Sequence, residues 1–394
     1  MKKYLLIIAC LLPVMHSARA EWSGYTALEY RNFFEPAADP RQPDNTGSLI
    51  LQPEYHYQWD NGRQIFSFIP YYRVDQYDDE RSHGDIRELA WVSAAESWEL
   101  RLGVRKVFWG VTESTHLVDI INQTDLVENP DGEDKLGQPM LNLALIGNYG
   151  TLDLFVLPMF RERTFPGVEG RPRLATIVDT RQDALYESDK KDQHVDYAVR
   201  WSKSMGILDI GLSHFYGTSR DPEFIFVPGP IPSLLPYYKL IHQTGLDLQV
   251  TSEGWLWKLE AVKRSGTNID YAAATAGLEY TLYGIGGSTT DVGLVVEYMY
   301  DDRNKLATTP FNNDLLVGLR FTFNDTQSTD ALIGLIYDRE YGSTVYSIEA
   351  GRRLGDRWKL SVEGRFYRDI DPLDNVLYSL RKEDYLQMEL ALYF

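Results

Sequence analysis

The chain has 394 residues, 44% of them hydrophobic, with 39 Lys and Arg against 57 Asp and Glu and a formal charge of −18. That acid excess excludes nucleic acid as a partner, because phosphate backbones demand a basic surface. The lone cysteine, Cys10, excludes a disulfide scaffold.

Residues 1–20 read as a secretory signal peptide: Lys2-Lys3, an apolar stretch from Tyr4 to Val14, and a small-x-small site at Ala18-Arg19-Ala20. A lipoprotein reading through Cys10 is poorer, since the apolar stretch before it is very short. Cleavage after Ala20 starts the chain at Glu21, removes Lys2, Lys3 and Arg19, and takes the net charge from −18 to −21. It also removes the only thiol, and with it thiolate catalysis and Cys-ligated metal. No later apolar run approaches the about 20 residues of a spanning helix. A membrane crossing must then be made by strands, and lipid accepts strands only as a closed barrel.

Alternation of apolar and polar residues marks eighteen strands in 21–394. They are 22–34, 48–59, 63–74, 85–95, 98–109, 141–147, 150–160, 193–203, 206–217, 237–251, 254–265, 269–283, 290–301, 311–323, 330–339, 344–354, 357–368 and 384–394. Most have the length of a tilted membrane-crossing strand, about 9–11 residues or slightly more. Their connections alternate in size. Asp60-Asn61-Gly62, Glu96-Ser97, Gly147-Asn148-Tyr149, Ser204-Met205-Gly206, Ser252-Glu253-Gly254 and Gly355-Asp356-Arg357 have tight hairpin chemistry. Between them lie long polar stretches at 35–47, 75–84, 110–140, 161–192, 218–236, 302–310 and 369–383. Tight turns on one rim and long loops on the other predict an all-β, transmembrane, antiparallel up-and-down β-barrel of about 18 strands, with 16 the next count. A soluble propeller or sandwich would show a repeat of about forty residues, and none is present.

The faces follow from the same alternation. Leu315, Val317, Leu319 and Phe321 oppose Asp314, Gly318, Arg320 and Thr322, and Trp358, Leu360 and Val362 oppose Lys359, Ser361 and Glu363. Charge facing lipid costs about 2–4 kcal/mol at the midplane, so the polar sets must face inward. Trp59, Trp98, Trp201, Trp255, Trp257 and Trp358 sit beside the tight turns, as an interfacial aromatic belt requires. The last strand, Leu386 to Phe394, alternates to a terminal aromatic residue.

The leader, the turn asymmetry and the final Leu390-Ala391-Leu392-Tyr393-Phe394 resemble those of Gram-negative outer-membrane barrels, over the whole of 21–394. The resemblance implies location in the cell outer membrane and a Phe394 strand read by the barrel-assembly machinery. It also implies contact with outer-membrane lipid and lipopolysaccharide. Leu102-Gly103-Val104-Arg105-Lys106-Val107-Phe108-Trp109-Gly110, followed by Asn129-Pro130-Asp131, resembles uncharacterised porin-like barrels related to the alginate-export type. The inward charges lean acidic here, which departs from an Arg-lined polyuronate passage.

An eighteen-stranded barrel is too wide for its own side chains to fill. Only Glu21 precedes the first strand, so a constriction is expected from a loop rather than from a plug domain. Segment 110–140 is the candidate, because Leu117, Val118, Ile120, Ile121, Leu126 and Val127 are more apolar than a solvated loop needs. Folded inward, it would present Glu113, His116, Asp119, Asp125 and Glu128 to the passage, with Arg101 and Arg105 on the adjoining wall. The arginines of 161–192 read as solvated charge, and the apolar 218–236 as a contact surface.

The expected function is an outer-membrane channel for small hydrophilic solutes or ions. The alternative is a barrel exporting or taking up a lipid, hydrocarbon or polysaccharide with periplasmic partners. No enzyme activity, cofactor or metal is expected: no nucleophile-elbow motif or metal-ligand spacing occurs, and the Ser114 and His116 pair is unsupported by a third group. Cargo is a small solute or a lipid-like molecule, and a homo-oligomer is possible on sequence grounds.

Overall fold

The computed structural model describes residues 19–394. The expected leader falls on residues 1–18, outside the described residues, apart from Arg19 and Ala20, which pair with Gln58 and Tyr57. In chain order the strands are β1 (Arg19–Phe33), β2 (Asn45–Trp59), β3 (Gln64–Asp75), β4 (Gly84–Ala94), β5 (Trp98–Arg105), β6 (Gln138–Gly147) and β7 (Gly150–Leu157). Next come β8 (Ile177–Val178), β9 (Leu185–Tyr186), β10 (Asp196–Met205), β11 (Leu208–Thr218), β12 (Glu223–Val227), β13 (Ser233–Tyr238), β14 (Leu240–Ser252) and β15 (Trp255–Ser265). The rest are β16 (Tyr271–Leu282), β17 (Asp291–Asp301), β18 (Asn313–Thr322), β19 (Asp330–Asp338), β20 (Thr344–Leu354), β21 (Trp358–Arg368) and β22 (Tyr385–Tyr393). One helix, α1 (Asn375–Leu380), precedes β22; Asp374 caps it by accepting from the Leu377 amide at 3.1 Å.

Eighteen of these strands form one antiparallel sheet, each pairing with the next wall strand in the chain. The sheet closes on itself through β1 and β22, where Leu28 faces Leu390 and Glu29 faces Glu389. Closure leaves no unpaired edge, so no row of backbone amides has to be solvated. The barrel is therefore the closed, all-β, up-and-down form expected from the alternation, with 18 strands.

Register explains the two surfaces. Leu294 faces Leu319, Leu319 faces Ile333, and Ile333 faces Ile348, so four strands share one outward aliphatic row. The first three of these side chains remain 40–48% exposed. One residue along, Gly318 faces Gly334 on the inner side. Between β2 and β3 the ladder is interrupted around Pro53 and Pro70, where a missing N–H cannot donate, and the register between β3 and β4 shifts at Ile69 and Pro70.

Three expectations change in detail. The fifth strand ends at Arg105 instead of 109, because Asn122 takes over its pairing: Asn122 Oδ1 accepts from the Val107 amide (2.8 Å) and Nδ2 donates to the Arg105 carbonyl (2.8 Å). The long segments 161–192 and 218–236 are partly ordered, since β12 and β13 form a hairpin and β13 also runs parallel to β8 and β9. The arginines of 161–192 are mostly not solvated charge. Arg161 pairs with Asp85, Arg163 with Asp221, Arg171 with Glu383 and Arg173 with Asp39, and of these five arginines only Arg181 forms no ion pair among the described residues.

Candidate pore constriction

The connection between β5 and β6, residues 106–137, lies against inward-facing side chains on both sides of the barrel. Its apolar residues decide the first contact. Val118, Ile120 and Ile121 are at most 2% exposed and pack with Phe155, Phe215, Ile241, Val262 and Ala273 on the inner faces of β7, β11, β14, β15 and β16. Burying each such side chain stabilises by about 1.5–3 kcal/mol, less the entropy of ordering the loop. The inner wall is therefore apolar where the loop rests, and the expectation of a wholly polar inner face does not hold there.

Two wall carboxylates then satisfy the loop's backbone. Glu260 on β15 accepts from the Val111 amide (2.6 Å), the Thr112 amide (2.9 Å), the Thr112 hydroxyl (2.8 Å) and the Val118 amide (3.2 Å). Glu297 on β17 accepts from the Glu113 amide (2.8 Å), the Ser114 amide (2.8 Å) and the Ser114 hydroxyl (2.7 Å). Amides that a strand partner would have taken are thus bound by charged acceptors, which make the stronger kind of hydrogen bond.

The far end of the loop is anchored across the lumen. Glu128 receives Arg73 Nη2 at 2.7 Å and the Tyr71 hydroxyl at 2.7 Å. Asp125 receives Arg87 Nη1 at 2.8 Å and the Thr164 hydroxyl at 2.7 Å. Asn129 donates to Glu363 on β21 at 2.7 Å, and Asp131 pairs with Arg365 of the same strand at 3.3 Å. The Asn129-Pro130-Asp131 motif is thereby tied to β21, 234 residues away in sequence.

The sequence-predicted residues divide into two groups. Glu113 and His116 line open space, Glu113 pairing with Arg320 at 2.6 Å and His116 with Glu133 at 3.0 Å. Asp119 borders a second cavity but accepts from the Trp109 and Gly110 amides at 2.6 and 2.9 Å, which holds the turn of the loop. Asp125 and Glu128 do not face the passage; both are buried in ion pairs that fix the loop to β3 and β4. Arg101 bonds Asn142 at 2.6 Å and Asp153 at 3.2 Å on the wall, and Arg105 contributes its backbone carbonyl; neither lines the two cavities beside the loop. Glu260 and Glu297 read from the sequence only as inward wall acids; that they bind this loop was not legible, because their partners lie 142–184 residues away in the chain.

His83, Asp125 and Glu128 place ligand atoms within 4.8 Å of one another, the geometry of a small metal site. Arg87 and Arg73 already occupy the two carboxylates, so the cluster reads as an ion-pair network. His83 Nε2 lies 3.4 Å from Asp125 and 3.3 Å from Glu128. Burial opposes a charged imidazole there, but Asp125 and then Glu128 override it and hold the His83 pKa above its ordinary value. The Glu133 carboxylate, then Glu260, raise His116 to about 10. Burial, then Glu363, raises Asp131 to about 7.

Two cavities, of about 370 and 310 Å³, flank the loop. Ser114, His116, Asp131, Glu133, Pro310 and Phe311 line both, so they form the partition between them. Fold and site together define a closed β-barrel with one long loop packed against its inner wall.

No family model matches the chain, and no curated protein matches it. Among solved structures it is similar to mutant forms of a porin from Rhodopseudomonas blastica, at 11% identity and a TM-score of 0.46, over 95% of this chain and 100% of that one. An engineered protein described for its asymmetric conductivity is similar to the same degree. At that distance the likeness adds nothing to the strand topology and says nothing about cargo.

Proposed function

We propose that this protein is an outer-membrane channel for small hydrophilic solutes or ions, in which segment 110–140 forms the constriction. The observation that carries the reading is the six-residue partition shared by two cavities, in which Ser114, His116, Asp131 and Glu133 stand with Pro310 and Phe311 inside a closed wall. The outward aliphatic rows supply a lipid-facing surface. Outer-membrane lipid and lipopolysaccharide are the partners of that surface, and the strand ending at Phe394 is the segment presented to the barrel-assembly machinery. Carboxylates outnumber cations around the narrow point, so cations pass more readily than anions.

Planar-bilayer recording of the purified chain tests this. Ion conductance is expected, with a preference for K⁺ over Cl⁻, and deletion of 111–133 should raise single-channel conductance severalfold. Absence of any conductance in wild type and deletion alike overturns the channel. That result is the one an export or uptake barrel for lipid, hydrocarbon or polysaccharide would give.

A further inference from the structure

We propose that the larger cavity is a selectivity site for amphipathic organic cations: solutes with one ammonium group on an apolar body about the size of a single ring. The proposal rests on the channel reading, since it names the solute that the narrow point would favour.

One side of the cavity is apolar where a water-filled lumen has no need to be. Leu316 on β18 faces Ile336 on β19, and Ile336 faces Val345 on β20, all on the inner surface. Leu332 and Phe311 extend this wall. Gly318 and Gly334 face each other in its middle and leave depth for a solute. At about 370 Å³ the cavity falls within the range of small-molecule sites.

The other side is acidic. Glu113, Asp131, Glu133 and Glu349 border the cavity against Arg365 and His116. Pairing leaves a surplus: Arg320 holds Glu113 (2.6 Å) and His116 holds Glu133 (3.0 Å), but Glu349 (2.8 Å) and Asp131 (3.3 Å) share the one Nη2 of Arg365. The Glu349 side chain remains 47% exposed and meets Arg365 through Oε1, which leaves Oε2 to accept. An ammonium group has three donors and complements such acceptors. A bare metal ion or a sugar gains nothing from the aliphatic wall, and an anionic amphiphile meets repulsion.

The test compares three probes on the full-length protein: 2-phenylethylammonium, ethanolammonium (same charge, polar body) and 3-phenylpropionate (same body, opposite charge). Calorimetry in detergent, corrected for partition into empty micelles, gives binding; current block in bilayers gives occupancy of the passage. The first probe should bind and block at least tenfold more tightly than either of the others. Glu349→Gln and Leu332→Asn should each weaken it at least fivefold, and Glu349→Gln alone decides if Leu332→Asn fails to assemble. Equal binding of the three probes, or unchanged binding in Glu349→Gln, overturns the proposal while a conducting channel stands. Selective binding without conductance keeps the site and removes the channel reading; loss of both removes both.

Discussion

Glu128 is 6% exposed and lies among Arg73, Tyr71 and His83, so its charge is compensated only while that shell stays intact. Removing one member of a buried charge network leaves the others unpaired in a medium of low polarity. Glu128→Gln should therefore destabilise the barrel by about 3–5 kcal/mol, read from urea unfolding in micelles. His83 gives the same anchor a pH dependence. Its pKa is raised in the folded state, so its stabilising contribution is complete below the ordinary histidine pKa and fades as pH rises through the raised value. Asp131 acts on permeation instead. With its pKa raised to about 7, it gains negative charge at the narrow point as pH rises through that value. The K⁺ preference measured by reversal potential should increase from mildly acid to mildly alkaline pH, while His116 stays charged until about pH 10. Gly103 is a different constraint: at φ +125°, an added Cβ would sit 2.0 Å from the Leu89 carbonyl oxygen. Gly103→Ala combines backbone strain with overpacking and should cost about 3 kcal/mol in the same unfolding assay.

Strands β1 to β7 and their later counterparts were legible because period-two alternation survives in one dimension, and their ends fall within a few residues of the expected ones. The exit from β5 was not. Lys106 to Trp109 continue an acceptable strand pattern, and only Asn122, sixteen residues beyond Lys106, ends it by bonding the backbone on both sides of the junction. Asn122 is 3% exposed and also donates to the Leu136 carbonyl at 2.9 Å. Asn122→Ala should leave three backbone groups, one buried and two half-buried, without this partner and cost about 2–3 kcal/mol. Amide hydrogen exchange should accelerate at Val107 before it does in the wall strands. The inward course of the loop was suggested by its apolar residues, but which of its acids face open space was not. Glu113 has an arginine partner too, Arg320; what sets Asp125 and Glu128 apart is that their arginines lie on β3 and β4 in a shell that buries both carboxylates.

At the scale of the whole barrel, the wall has two chemistries whose order is testable by a matched pair. Leu319 points outward in the aliphatic row, whereas Ser361 lies on an inner face opposite Gly351 and Glu389. Leu319→Arg should cost about 2–4 kcal/mol in lipid, and Ser361→Arg clearly less, as read by folding yield into vesicles. The sequence by itself determined the strand count, the two faces and the rim asymmetry, because each is a local repeat that every strand must satisfy on its own. Tertiary structure decided the rest. A closed wall brings Glu260, Glu297, Glu363 and Arg365 to one loop from strands far apart in the chain. Whether a carboxylate holds the scaffold or borders the passage depends on which cation reaches it across the lumen.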